Sequence, residues 1–342
     1  MKVLVTGGAG FIGSNFIRWV LAHHPGVRVT NYDALTYAGN VTNLWDVERD
    51  SRYEFIHADI CDTRNVMKHL AGHDAVINFA AASHVDRSIE QSRQFVQTNV
   101  LGANTLFDAA MRLEVPRFLH ISTDETYGSI DEPELYLEGD ALSPSSPYSA
   151  SKAAADLLAR AYRVTHGYPI TITRASNTFG PYQFPEKIVP LFITNLIDER
   201  PVPLYGTGRN ARDWMYVMDN VRAQWLVLTE GEAGEIYNIG AGNEMSNLEL
   251  TYRIMEGFGL SDSGAEAMIQ PVVDRPGHDL RYAIDSARVR HLGWEPTLMF
   301  PDALATTIEW YRQNESWWRP LKLRGANRRR GLTRAGTAGN GS

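Results

Sequence analysis

The 342-residue chain has one cysteine, Cys61, so no disulfide framework can form within it. No apolar run comes near the roughly 18 residues that span a bilayer. The opening MKVLVTGGAG lacks the long apolar region and small-residue cleavage site of a secretory signal and enters a strand at once. These absences lead us to expect a cytoplasmic protein with no membrane partner. No internal repeat with a period of roughly 20–50 residues is visible, which excludes solenoids and propellers. Acids are missing from the end, where Lys322, Arg324, Arg328, Arg329, Arg330 and Arg334 lie together, so the net charge is unevenly spread. Without those six, the net charge of −7 would deepen to about −13, and an acidic body argues against a nucleic-acid partner. The Gly, Ala, Asn and Ser of that tail mark it as a disordered basic segment.

What is present is an ordinary globular composition, 44% hydrophobic and 21% charged. The length exceeds what one growing core fills, so two closely packed lobes are expected. Short apolar strands over 2–6, 27–32, 53–57, 75–79, 118–122 and 170–174 alternate with helical periodicity over 12–23, 95–113 and 149–166. That alternation predicts an α/β fold, a parallel sheet covered by helices on both faces. After Asn177 proline and aromatic residues become frequent, and short strands (202–205, 235–239) mix with a helix over 247–258. The expected organisation is a first domain over 1–176, a mainly ligand-binding lobe over 177–322 from which later segments return to the first sheet, and the tail over 323–342.

The first strand runs into GGAGFIG and then a helix, with Gly7, Gly10 and Gly13 at the spacing of a dinucleotide fingerprint. Glycines there let the backbone turn tightly and approach a pyrophosphate, which the helix N-terminus attracts. Asp33 ends the second strand 20 residues past Gly13, where a carboxylate meets an adenosine ribose and repels a 2′-phosphate, so NAD is the expected cofactor. Asp59 is an adenine-side candidate by position. The fold class expected is thus a Rossmann-type doubly wound parallel sheet with a smaller mixed α/β substrate-binding lobe.

Tyr148 and Lys152 are four apart on a helix that Ser145-Ser146-Pro147 starts, so they share a face. A phenol with an ordinary pKa near 10 is a weak base at neutral pH. A nearby ammonium favours its ionised form, so the pair suits proton removal from a hydroxyl as hydride leaves the same carbon. The fifth strand ends in Ser122-Thr123-Asp124-Glu125 at the ligand-binding edge of such a sheet. Thr123 suits polarising a substrate oxygen. The two adjacent acids suggest further proton transfers, one removing a carbon-bound proton and the other protonating a leaving group.

With these residues in place, GGAGFIG, Ser122-Thr123-Asp124-Glu125 and YSASK resemble the extended short-chain dehydrogenase/reductase superfamily. Within it the chain closely resembles the dTDP-glucose 4,6-dehydratases, through Leu35–Asn40, Ala58–Asp62, Ser83–Ile89, Ser145–Lys152, Gly180–Lys187, Arg212-Asp213-Trp214 and Asp274–Asp279. The resemblance covers about residues 1–322. It implies a hydro-lyase in which Tyr148, helped by Lys152 and Thr123, takes the O4 proton while C4 gives hydride to NAD. Glu125 would then remove the C5 proton, Asp124 protonate the departing C6 hydroxyl, and the hydride return to C6. It further implies cofactor contacts from Gly7, Gly10, Phe11, Ile12, Gly13, Asp33, Leu35, Thr36, Asp59, Ile60, Ala80, Ala82, Thr98, Tyr148, Lys152 and Thr178. The nucleotide-diphosphate sugar would be held by Ser83, Thr123, Asn177, Lys187, Ile188, Pro203, Tyr205, Arg212, Asn247, Asp274, Arg275 and His278, with Arg212 and Arg275 at the diphosphate. A homodimer through the helices over 95–113 and 149–166 is implied as well. His84 reads as a structural hydrogen-bonding residue, and Trp310, Tyr311, Trp317 and Trp318 as packing. Two positions depart from the family's pattern: Ala82 stands where a Glu is usual, and Thr178-Phe179 where Asn-Tyr is usual. The alternatives are a dehydratase or C4 epimerase acting on a UDP-sugar or other nucleotide-sugar, and a non-catalytic NAD-sensing or scaffold protein.

Overall fold

Alternate residues of the short strands serve two layers. Val3 and Val5 pack under one face of the sheet with Ala75 and Ile77, while Leu4 joins Val76, Phe118 and Ile172 under the other. Strands buried on both faces read as continuous apolar runs, and that is why they are parallel and central. The computed structural model describes residues 1–323, so the basic tail lies, from residue 324 onward, outside the described residues.

The strands are β1 (Lys2–Thr6), β2 (Arg28–Asp33), β3 (Tyr53–His57), β4 (Ala75–Asn78), β5 (Arg117–Thr123), β6 (Thr171–Ala175), β7 (Asn177–Phe179), β8 (Val202–Tyr205), β9 (Ala211–Tyr216), β10 (Ile236–Ile239), β11 (Glu244–Ser246) and β12 (Ile269–Val272). Seven form one sheet in the order β10-β6-β5-β4-β1-β2-β3, with every neighbouring pair parallel. The order reverses between β1 and β4, which opens a crevice at their carboxyl ends. The segment over 235–239, read with the second lobe, supplies β10 and extends this main sheet beside β6. The smaller lobe holds a mixed three-stranded sheet, β11-β9-β7, and a parallel pair, β12-β8.

The helices in chain order begin with α1 (Phe11–His23), α2 (Thr63–Leu70), α3 (Val85–Glu90), α4 (Ser92–Phe95), α5 (Ala103–Arg112), α6 (Pro147–His166), α7 (Ile188–Ile197), α8 (Val217–Glu230) and α9 (Asn247–Glu256). Residues of α1 and α8 cover one face of the main sheet, and those of α2, α5 and α6 the other. The helix expected over 95–113 is not uniform, because Val96–Gly102 winds as a π-helical stretch between α4 and α5. Asn99 in that stretch clamps the Ala82 peptide, accepting from its N–H at 2.8 Å and donating to its carbonyl at 2.9 Å. Wide turns of this kind are frequent at functional sites. Trp310, Tyr311, Trp317 and Tyr182 pack edge to face, and Trp318 is fully buried. Among the described residues no helix is long and apolar enough to cross a membrane.

Candidate active site

The crevice starts where β1 meets α1. Gly7 has φ +68°, and a Cβ there would lie 2.6 Å from the Ala80 backbone nitrogen. A Cβ on Gly13 would meet the Gly7 carbonyl oxygen at 2.5 Å. Only glycine keeps the turn this tight. The first intrahelical bond of α1 runs from the Ser14 N–H to the Gly10 carbonyl, and no side chain caps the helix. The amides of Phe11, Ile12 and Gly13 therefore lack intrahelical acceptors and sit at the positive end of the helix dipole, an anion site by construction. Asp33 is buried at the end of β2, where its Oδ2 accepts from the Ala9 N–H at 2.9 Å and its Oδ1 from the Leu35 N–H at 2.7 Å. Burial pushes its carboxyl pKa up, and these two bonds oppose the rise. The carboxylate is thus locked at the crevice wall.

Thr36, Asp59, Ile60, Ala80, Thr98, Tyr148 and Lys152 line the same crevice. Leu35 lines the adjoining groove. Ala82 does not line it, since it packs with Val85, Phe95 and Tyr148 in a small apolar cluster. In that cluster the Tyr148 ring meets Phe95 in an edge contact at 6.3 Å. Thr178 also stands outside the lining; its hydroxyl donates to the Ser176 carbonyl and accepts from Asn220 at 2.7 Å.

The acid–base group comes from β5 and α6. A capping box between Ser146 and Ser149, with Pro147 in the first turn, fixes the start of α6 and with it Tyr148. Lys152 is 3% exposed and its Nζ donates to the Ile121 carbonyl at 2.5 Å. Burial lowers its pKa to about 8, and Asp156 pulls the other way. Burial, then Glu125 and Asp124, raise the Tyr148 phenol well above its ordinary value, while a hydrogen bond with Thr123 opposes them. Asp124 is 3% exposed and accepts from the Thr123 hydroxyl at 3.2 Å. Burial first, and Glu125 second, raise its pKa to about 8. Glu125 is raised by burial too, but Arg275, Lys187 and Arg212 favour its ionised form. Two neighbouring carboxyls thus sit in different surroundings: burial and Glu125 push Asp124 up to about 8, while three cations oppose the rise at Glu125.

On the substrate side, Ser83 and Lys187 line the crevice, and the Lys187 Nζ donates to the Ser83 carbonyl at 2.8 Å. Arg212 is no surface ion pair. It is 4% exposed, donates to the Asp279 carbonyl at 2.8 Å, and lies 4.1 Å from the Tyr282 ring centre. Arg275 pairs with Asp86 at 3.4 Å, the Tyr205 hydroxyl donates to Asp86 at 3.0 Å, and His278 bonds Asp274 at 2.6 Å. Asn177 lies on β7, Ile188 opens α7, Pro203 is on β8, and Asn247 opens α9 with its N–H donating to the Asn210 carbonyl. These last four lie on separate elements, and none of them lines the crevice. Among the described residues no cluster of His, Cys, Asp or Glu is arranged to hold a metal ion, and His84 stands 3.8 Å from Glu186.

Sequence reasoning missed Tyr37, Gln183, Phe184 and Glu186, all of which line the crevice. Arg87 covers the Tyr37 ring at 4.1 Å and pairs with Glu186 at 2.6 Å. The segments that hold these residues were singled out, but nothing in a single sequence says which of their side chains turn inward.

The profile of the GDP-mannose 4,6 dehydratase family matches residues 4–307. A dTDP-glucose 4,6-dehydratase of Streptomyces niveus is 50% identical over 327 residues, covering 94% of this chain and 96% of that protein. One of Streptomyces griseus is 51% identical over 324 residues, 93% of this chain and 96% of that protein. The crystal structure of DesIV, a dTDP-glucose 4,6-dehydratase from Streptomyces venezuelae solved with NAD bound, superimposes with a TM-score of 0.91 at 49% identity, covering 94% of this chain and 100% of the other.

Proposed function

This chain belongs to the GDP-mannose 4,6 dehydratase family, and from that premise we propose how its own residues remove water from dTDP-glucose. The enzyme is an NAD-dependent hydro-lyase that forms the 4-keto-6-deoxy sugar nucleotide. The chain fits the cofactor: the uncapped start of α1 suits a pyrophosphate, and the locked Asp33 carboxylate suits a ribose with free hydroxyls. Bound NAD supplies a reversible hydride acceptor for C4, and the hydride is later returned to C6.

Tyr148 takes the proton from the sugar O4, with Thr123 bonded to its phenol and Lys152 one turn away. The C4 ketone so formed acidifies the C5–H bond, and Glu125 takes that proton. Asp124 gives its proton to O6, so the C6–O6 bond breaks and water leaves. Glu125 returns a proton to C5, and Asp124 is reprotonated from solvent. Arg212 and Arg275 hold the diphosphate end, and with Lys187 they oppose the rise that burial gives the Glu125 pKa. The observation that carries this reading is the adjacent pair Asp124 and Glu125, placed at the end of β5 beside Tyr148, where burial pushes the Asp124 carboxyl up to about 8. A C4 epimerase has no use for such a pair.

The test is incubation with dTDP-glucose followed by mass spectrometry of the sugar nucleotide. We expect a product lighter by one water. A product of unchanged mass with C4 inverted would replace this reading with epimerisation, and no product from any nucleotide-glucose would remove it. We also place the enzyme in the cytoplasm, and assign it a homodimer in which Val96 and Leu101 meet Leu157 and Val164 of α6. These apolar side chains are 49–76% exposed, a surface that association would cover.

A further inference from the structure

Gln183 lines the crevice, and the reaction above gives it no task. It sits in the loop between β7 and α7, directly after a strained residue. Tyr182 has φ +67°, a left-handed backbone that an aromatic residue rarely adopts. Its ring is held by Arg18, 3.9 Å from the ring centre, and by Trp310 at 4.6 Å. The loop backbone is tied down as well. Asn15 of α1 donates to the Pro181 carbonyl at 3.0 Å, and the buried Tyr311 hydroxyl to the Gln183 carbonyl at 2.5 Å. Strain of this kind persists only where the surroundings impose it, and it gathers at ligand sites.

The Gln183 side chain is 8% exposed, and half of its amide is used. Its Nε2 donates to the Thr178 carbonyl at 2.9 Å. Among the described residues no donor reaches its Oε1. Turning the amide over would set two carbonyl oxygens against each other, so the Thr178 carbonyl decides which end is left over. A buried acceptor without a donor is costly, and one in a ligand crevice calls for a donor on the ligand. The Thr178 side chain does not compete for this place, because its hydroxyl is engaged with Ser176 and Asn220 outside the crevice.

The position narrows the donor. β7 follows β6, whose end pairs with Thr123 of β5, so the Thr178 carbonyl stands on the side of the sheet that carries the acid–base group. Asp33 and Asp59 follow β2 and β3, on the far side of β1. A phosphate has no proton to give to a carbonyl oxygen. NAD carries N–H donors at its adenine amine and at its nicotinamide carboxamide, and the carboxamide belongs to the acid–base end. We propose that Gln183 binds the cofactor at that end, its Oε1 accepting from the carboxamide N–H of the nicotinamide, with the Thr178 carbonyl keeping the amide turned to do so. A grip on the carboxamide sets the rotation of the ring about its bond to the ribose, and so the ring face offered to the sugar. The inference rests on NAD as the cofactor.

Acetylpyridine adenine dinucleotide carries a methyl ketone in place of the carboxamide. It keeps every ribose hydroxyl and lacks the N–H donor. The holoenzyme is equilibrated with an equal mixture of this analogue and NAD in large excess, washed and denatured, and the two released dinucleotides are quantified by mass spectrometry. The parent should favour NAD at least about tenfold. In Gln183→Met, which keeps the length and removes the acceptor, that preference should drop by about tenfold. A loosened loop weakens both dinucleotides alike and cancels in the ratio, so a merely structural role leaves it unmoved. An unchanged ratio in the variant would overturn the proposal and leave NAD as the cofactor. No preference in the parent would do the same without any variant. A parent that retains neither dinucleotide would remove the cofactor reading and this inference together.

Discussion

Asp124 and Glu125 are adjacent in sequence and alike in chemistry, yet their surroundings divide their work. Burial holds the proton on Asp124, whereas three cations around Glu125 favour its charge. Glu125→Gln should stop water loss at least about a hundredfold, while the first hydride transfer still proceeds. Reduced cofactor accumulating on mixing with dTDP-glucose, followed by absorbance, is the expected signal; normal turnover would remove Glu125 as the base. Asp124 also makes stability depend on pH. Its pKa is about 8 in the folded chain against an ordinary 3.8, so its contribution is full below about pH 4 and is lost as pH rises toward 8. Asp124→Asn lacks this loss. Its melting temperature relative to the parent should rise from pH 5 to pH 8, and a constant difference would mean that the proton is not held. The residue types at 123–125, 148 and 152 were legible from the sequence because they sit at strand and helix starts whose spacing is local. The bond from Gln183 to the Thr178 carbonyl was not, because a side chain that pairs with backbone leaves no pattern in the residue order.

At the scale of elements, the turn from β1 into α1 is the most constrained. Gly7→Ala forces a left-handed residue and a contact of 2.6 Å with backbone. About 1–3 kcal/mol of stability should be lost, together with NAD carried through purification. Thermal melts and cofactor content of the purified protein check both, and an unchanged cofactor content would show that the loop tolerates a methyl group. The stretch over 95–113 shows where periodicity misleads. Its apolar spacing predicts one helix, but the structure interposes the π-helical residues Val96–Gly102. That places Thr98 in the crevice and Asn99 on the Ala82 peptide. Hydrophobic spacing reports which face is buried, and it is blind to a polar side chain whose partner is a distant backbone.

For the whole molecule, polar links across the crevice add to an apolar core that both lobes share. Asp86 of α3 holds both Tyr205 of β8 and Arg275. The outer face offers exposed apolar side chains on α6 and on the stretch before α5. Leu157→Glu should convert a dimer to monomer in sedimentation or light scattering with the fold intact. A monomeric parent protein, or a dimer unaffected by the change, would remove this surface from the interface.

The alternation of strands and helices, the glycine cradle, Asp33 and the Tyr148–Lys152 spacing were determined by the sequence alone, because each depends on steric and hydrogen-bonding rules that act over a few residues. Tertiary structure decided that β10 crosses back into the main sheet, that Arg212 is buried close enough to act on the acid pair, and that burial pushes the Asp124 carboxyl up. Those outcomes depend on which distant groups exclude water from one another, and a desolvated charge has no signature in the order of the residues.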